Sequence, residues 1–325
     1  MHPYLSHLYD FSRQLENDAI ILMHTRRARR APAPDGIVVV GMGGSGLPGL
    51  LLQKLAPTYG MRIPVLTWNT YGLPSPMPLK HPLIIVASFS GNTEEALSAL
   101  RAALKQKGAR VAVIASGGAL KRSAFAKKLP LATFDAGGLT PREALGYTYT
   151  SLIKLLRLYV SGLSTFSQHL ISPQSLDAEG KRIARALKTH IPLIYTDARD
   201  AHIGYVWKIN INETGKYPAF ANALPELNHN EINGFERMSR SFVVLFLKNK
   251  DSSPEIQQRI RYTQSILNKK KVPTLILTLR GKTEEAKVWN SIRLSHFTAF
   301  YLAKLHGEDP LAIPATDTLK KLMAR

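Results

Sequence analysis

The sequence predicts an α/β protein of two similar units, each a central, mostly parallel sheet flanked by helices. Two observations carry this. Continuous apolar, β-branched runs such as "LIIVAS" (83–88) and "RVAVIAS" (110–116) have the composition of strands buried on both faces. These runs alternate with helix-length stretches through most of the 325 residues. That order builds a parallel sheet with helices on either side. The length is enough for two domains of ordinary size.

Residues 3–30 read as a helical N-terminal segment, closed by the breaker run "APAPDG" (31–36). Strands are expected near 37–41, 63–67, 83–88, 110–115 and 131–134, and helices over 46–56, 93–106, 120–128 and 141–162. The polar stretch "SGLSTFSQHLISPQSLD" (161–177) reads as a linker. The domains are therefore expected at 1–162, which includes the helical segment 1–34, and at 163–325. The second half repeats the alternation more weakly. Its strands fall near 191–195, 218–222, 242–247 and 273–278, with helices near 254–268, 283–305 and 316–324.

The chain has no cysteine, which excludes disulfides, thiolate nucleophiles and thiolate zinc sites and fits a cytoplasmic protein. No signal peptide is expected, because Asp10 and Glu16 interrupt the N-terminus before any long apolar run. The longest apolar runs, such as "SFVVLFL" (241–247), are strand-sized and far short of the ~20 residues of a membrane-spanning helix. The net charge of +20 raises the question of nucleic acid. Yet only "TRRARR" (25–30) and "KKK" (269–271) form basic runs, and neither interleaves aromatics for base stacking. A solvated basic surface that attracts anionic metabolites is the preferred reading, and no nucleic-acid partner is expected.

"IVVVGMGGSG" (37–46) drives a buried strand into a glycine turn whose spacing fits the dinucleotide fingerprint G-x-G-x-x-G. A nicotinamide site also wants an acidic residue ~20 residues on, at the end of the second strand. Here no Asp or Glu occurs between Gly46 and Glu94, and that strand ends in "LTWNTYG". What remains is an anion site at a helix start, to which Ser45 adds a hydroxyl, or a turn whose glycines serve only close packing. "IIVASFSGNTEEAL" (84–97) repeats the logic. Capping accounts for Thr93 alone, but not for Ser88, Ser90 and Gly91 together. Three hydroxyls and a glycine at a helix N-terminus make an anion cradle, with sugar phosphate the preferred ligand.

"GMGGSG" followed by "SFSGNTEEA" resembles the paired loops of sugar isomerase (SIS) domains, whose serine/threonine loop binds a sugar phosphate. "GGLTPREALGYTYTSLIKLL" (137–156), "INETGKYPAF" (211–220), "ELNHNEINGFE" (226–236) and "EDPLAIPATDTLKKLM" (308–323) narrow the resemblance. They are similar to the bifunctional phosphoglucose/phosphomannose isomerases. The resemblance implies two SIS-type domains and interconversion of glucose 6-phosphate and mannose 6-phosphate with fructose 6-phosphate. Aldose–ketose isomerisation moves a proton between C1 and C2 through a cis-enediol, which calls for a base, a ring-opening acid and positive charge. It requires no metal or redox cofactor.

Each chemical role follows from that resemblance. Ser45, Ser88, Ser90 and Thr93 would hold the phosphate, and Gly44 would admit the substrate close to the backbone. Glu213 matches the proton-shuttling base, although a Glu at a helix end is ordinarily a solvated charge or a cap. His229 matches the ring-opening histidine, which in the family reaches the site from the neighbouring subunit, so a homodimer is implied. Arg142 matches the cation that stabilises the enediolate. On the expected helix from Pro141 it would oppose the helix dipole, an unfavourable placement that points to function. Lys320, next to Lys321, matches a C-terminal lysine that assists ring opening. The other histidines, His81, His202 and His306 among them, lack ligand spacing, and Asp197 and Asp200 read as helix caps. The rivals are another SIS-domain isomerase and a non-catalytic sugar-phosphate sensor, which would have no need of Glu213 and His229.

Overall fold

The structure, a computed structural model, describes residues 1–16, 19–26, 33–161, 163, 170–237 and 241–323. Cα packing divides the chain into an N-terminal unit, Asp10–Phe166, and a C-terminal unit made of Met1–Tyr9 and Ser167–Arg325.

The N-terminal unit holds strands β1 (Ile20–Met23), β2 (Gly36–Val40), β3 (Val65–Trp68), β4 (Pro82–Ala87), β5 (Arg110–Ile114) and β6 (Leu131–Phe134). They lie in the order β1-β6-β5-β4-β2-β3, all parallel except β1, which pairs antiparallel with β6. With strand period 2, Val38, Val40, Ile84 and Val86 share one face. They pack there against α3 (Glu94–Ala103) and α4 (Gly118–Ala126). Val39 points the other way, onto Gly49 of α2 (Leu47–Leu55), and α5 (Leu145–Leu156) lies beside α2 on that face.

The C-terminal unit has a wholly parallel sheet of four strands. These are β7 (Ile191–Asp197), β8 (Phe220–Leu224), β9 (Phe242–Lys248) and β10 (Thr274–Thr278), in the order β10-β9-β7-β8. Leu193, Tyr195, Val244 and Phe246 form the core on one face with Ile260 and Leu267 of α8 (Pro254–Lys269). Helix α7 (Ala201–Glu213) packs on β7 and β8 and against α9 (Glu284–Leu305), which α6 (Pro173–Leu187) and α1 (Pro3–Tyr9) also contact. Helix α10 (Pro314–Met323) ends the described chain. Among the described residues no helix is long and apolar enough to cross a membrane.

Four expectations are corrected, three of them in secondary structure. The N-terminal segment is not continuously helical: α1 is followed by a 3-10 turn at Phe11–Leu15 and by strand β1. The apolar run "IILM" takes the exposed edge of β6, a pairing that no local signal announces. Residues 17–18 and 27–30 of that segment, and 31–32 of the breaker run after it, lie outside the described residues. The supposed linker 161–177 ends in helix: Ser172 caps α6 by accepting the Ser175 N–H, and Pro173 takes the first turn. The helix expected from residue 141 begins at Leu145, because residues 141–144 form a turn.

The segment 1–34 was also expected to stay with the first unit, whereas Met1–Tyr9 packs with the C-terminal unit. The fully buried Tyr4 hydroxyl lies 2.6 Å from Nδ1 of His296 and 3.1 Å from Oγ1 of Thr214. The Tyr9 hydroxyl donates to Asp177 Oδ2 at 2.7 Å. A net hydrogen bond contributes about 1 kcal/mol, and a buried partner deprived of one costs about 1–3 kcal/mol. Tyr4→Phe is therefore expected to lower the stability of the chain by roughly 1–3 kcal/mol. Denaturant titration checks this, and an unchanged midpoint would show that Tyr4 contributes only its ring.

Candidate active site

In an open parallel sheet, ligands favour the crevice at the carboxyl ends of the strands, where the order reverses direction. In the N-terminal unit that point lies between β2 and β4, since the chain moves from β2 to β3 on one side and from β4 to β5 and β6 on the other. Both loops singled out in the sequence stand there. Gly43–Ser45 forms a 3-10 turn between β2 and α2, and Ser88–Thr93 joins β4 to α3.

The hydroxyls do two kinds of work. Ser45 Oγ accepts the Phe89 N–H at 2.9 Å and so ties one loop to the other. Ser88, 1% exposed, accepts the Gly91 N–H at 3.1 Å and lies 2.9 Å from Thr93 Oγ1. Thr93 occupies the N-cap position of α3, but its hydroxyl makes no capping bond and is engaged with Ser88 instead. The Thr93 side chain thus makes no capping bond at the positive end of α3, a place where negative charge is favoured. Ser90 is exposed at the rim, where its Oγ accepts the Asn92 N–H at 3.3 Å.

A third segment supports the cradle and was missed by the sequence reading. Gly91, at φ +69°, lies so close to Gly117 that an added Cβ would stand 1.9 Å from the Gly117 carbonyl oxygen. Asn92 Oδ1 accepts the Ala119 N–H at 2.9 Å, and the Leu120 N–H reaches the Gly91 carbonyl at 2.8 Å. The available signal was the glycine pair 117–118, three residues beyond the end of β5.

Arg142 comes to the same edge of the unit. A Cβ on Gly44 would lie 2.9 Å from the Pro141 carbonyl oxygen and 3.2 Å from the Arg142 nitrogen, so the absent side chain of Gly44 admits this turn. The turn is held from within. The N–H and hydroxyl of Thr140 both donate to Glu143 Oε2, at 2.9 and 2.7 Å, and Gln14 Nε2 donates to the Glu143 carbonyl at 2.9 Å. Arg142 and Glu143 are both buried. Since Arg142 precedes α5 by three residues, the helix-dipole argument for it lapses, and its burial now sets it apart.

The corresponding crevice of the C-terminal unit, between β7 and β9, is filled by its own side chains. Asp197 accepts from Ser252 Oγ at 2.7 Å and from Arg199 Nε and Nη2 at 3.2 and 3.1 Å. Asp200 Oδ2 accepts from Asn249 Nδ2 at 3.1 Å. Burial alone would raise the Asp197 carboxyl, but the hydrogen bonds from Ser252 and Arg199 outweigh it and hold the group below its ordinary value. A carboxylate fixed there repels a phosphate. Asp197 does act as a cap, accepting the Arg199 N–H at 3.0 Å, whereas Asp200 makes no capping bond to α7.

Three predicted residues lie in the C-terminal unit. Glu213, the last residue of α7, borders an open cleft of about 690 Å³ shared with Lys208, Lys216, Tyr217 and the first turn of α10. Lys216, at φ +53°, donates from Nζ to the Glu213 carbonyl at 2.6 Å and turns the chain away from the helix. His229 is exposed on a 3-10 turn, Glu226–His229, and does not line that cleft. Lys320 is exposed on α10, beyond the residues of that helix that border Glu213. His81 is exposed, and His306 Nε2 lies 2.8 Å from the Lys188 carbonyl.

The family model of the bacterial phospho-glucose isomerase C-terminal SIS domain matches residues 176–323. A bifunctional phosphoglucose/phosphomannose isomerase from Aquifex aeolicus is 30% identical over 289 residues, 88% of this chain and 89% of its own. The chain belongs to this family. A D-glucosamine-6-phosphate 4-epimerase from Sulfolobus acidocaldarius is also 30% identical, over 242 residues, 70% of this chain and 72% of its own. Among solved structures, glucosamine-6-phosphate deaminase from Thermotoga maritima superposes with a TM-score of 0.65 at 14% identity. That alignment covers 96% of this chain and 97% of the other, and shows the fold alone. The family's two SIS-type α/β units are those described above.

Proposed function

We propose that this chain is an aldose–ketose isomerase that interconverts glucose 6-phosphate and mannose 6-phosphate with fructose 6-phosphate. One observation of geometry carries the reading: a hydroxyl-rich loop at the strand-order reversal of the first sheet, with the Thr93 hydroxyl turned from α3 onto Ser88. The substrates follow from the Aquifex relative, whose likeness extends over both units. In this reading Ser45, Ser88, Ser90 and Thr93 form the phosphate loop, with Ser90 and Thr93 at its accessible rim. Glu213 carries the proton between C1 and C2, and Arg142 stabilises the enediolate. His229 and Lys320 serve ring opening, and none of these steps calls for a metal. The enzyme acts in central carbohydrate metabolism in the cytoplasm, as a homodimer in which each protomer lends His229 to its partner.

A second reading, epimerisation at C4 of glucosamine 6-phosphate, is favoured by the Sulfolobus relative but rests on the smaller overlap. Turnover assays on fructose 6-phosphate and on glucosamine 6-phosphate, with EDTA present and products separated, decide between them. Glucose 6-phosphate and mannose 6-phosphate from the ketose are the expected result. Glucose 6-phosphate alone would remove the mannose activity, and a C4 epimer of the amino sugar would favour the second reading. Tight binding without turnover would leave a sensor.

A further inference from the structure

His229 sits between two anchored asparagines and a clamped carboxylate. Leu227 is buried in the core of the C-terminal unit. Next to it, Asn228 Nδ2 donates to Thr263 Oγ1 of α8 at 2.9 Å, and its Oδ1 accepts from Arg259 Nη1 at 3.3 Å. On the other side of His229, Asn230 Nδ2 donates to Glu226 Oε1 at 3.0 Å. Glu231 is held at both oxygens: Oε1 accepts from the Tyr195 hydroxyl of β7, and Oε2 from Asn222 Nδ2 of β8. Among the described residues no hydrogen bond reaches the His229 ring, which stays exposed.

The asymmetry calls for an explanation. Tyr195 is 1% exposed, its ring stacked with Phe235 at 6.3 Å and edge-on to Phe246 at 5.8 Å, and only its hydroxyl leaves the core. Burial, and then the bond to Glu231, push its titration well above the ordinary tyrosine value, so it stays a donor. Hydrogen bonds to an ionised acceptor are about twice as strong as neutral ones. A surface turn with no task has little use for such a clamp. A reacting group does, because misplacement by about 1 Å can cost a factor of 10² in rate.

We propose that Glu231, gripped by Tyr195 and Asn222, is a positioning residue that fixes the 226–231 turn so that His229 is presented to the sugar ring in one orientation. The inference rests on the ring-opening role of His229 proposed above. Tyr195→Phe removes a single donor and keeps the ring. Glu231→Gln keeps the shape but turns an amide N–H₂ towards one of the two donors.

Steady-state kinetics with glucose 6-phosphate and thermal melting, on both variants, on His229→Gln and on the His229→Gln/Glu231→Gln double variant, test it. Each single clamp variant is expected to lower kcat by about 10-fold or more, with KM changed by less than about threefold. In the His229→Gln background, Glu231→Gln should cost less than about twofold further, since the two act as a unit. A lowered melting temperature with unchanged kcat overturns the proposal, and so does a kcat loss that multiplies in full on top of His229→Gln. An enzyme that depends on His229 but is indifferent to Glu231→Gln refutes the clamp alone. Unchanged turnover in His229→Gln refutes the role assigned to His229, and the clamp with it.

Discussion

Glu213→Gln is expected to lower kcat by about 10²–10⁴, the range that a positioned general base contributes, while sugar-phosphate binding stays within about threefold of wild type. Glutamine preserves the volume and the hydrogen-bonding outline of the side chain but cannot take up the C2 proton. Glu213 ends α7 with its side chain half-buried at an open cleft. A carboxylate there faces the negative end of the helix dipole, an unfavourable placement. The variant should therefore melt at or slightly above the wild-type temperature, as expected where a residue is kept for activity at some cost in stability. Single-turnover kinetics and calorimetric binding of fructose 6-phosphate read the two effects separately. Turnover near wild type would move the base to another residue, and loss of binding together with rate would give Glu213 a structural part.

Gly91→Ala should have the largest effect on the loop proposed to hold the phosphate. At φ +69° an alanine pays roughly 1–2 kcal/mol for the left-handed conformation alone. The greater obstacle is contact, because the new Cβ would stand 1.9 Å from the Gly117 carbonyl oxygen and 3.1 Å from the Gly118 Cα. Backbone must move, and with it the bonds from Gly91 to Ser88 and from Leu120 to Gly91. A melting temperature several degrees lower is expected, for a cost of at least about 2 kcal/mol. KM for the sugar phosphate should rise by about 10-fold or more, since losing one well-made charge-assisted contact of about 1.5–3 kcal/mol already accounts for that factor. Wild-type KM at unchanged stability would mean that the phosphate is held away from the Ser88–Thr93 loop.

Most strands were legible as short apolar runs, and those buried along their whole length, such as β2 and β4, leave the clearest compositional mark, whereas β3, β8 and β10 are partly exposed. The hydroxyl-rich loop proposed to bind phosphate was legible for a similar reason: Ser88, Ser90, Gly91 and Thr93 are neighbours in sequence, at the boundary of a strand and a helix. Strand β1 was not, since "IILM" becomes a strand only by finding the open edge of β6. Helix α6 was hidden in a polar segment, although Ser172 and Pro173 carried a helix-start signal that the length of that segment masked. Of the candidate site residues, Arg142 stood out in the sequence by a helix position it does not occupy, and what distinguishes it in the fold is burial.

What the sequence by itself determined is the α/β class, the two-unit plan, the glycine- and hydroxyl-rich turns at the strand ends of the first unit and, through resemblance, the family. These depend on residue types a few positions apart, which local periodicity and chain stiffness turn directly into structure. Only the tertiary structure decided the partner of each polar group. It brought Tyr4 to His296 across 292 residues and set Glu231 between Tyr195 and Asn222. It also turned the Thr93 hydroxyl to Ser88 and placed Asp197 and Asp200 across the second crevice, where phosphate is repelled. A hydrogen bond depends on distance and angle in space, and neither can be read from spacing along the chain.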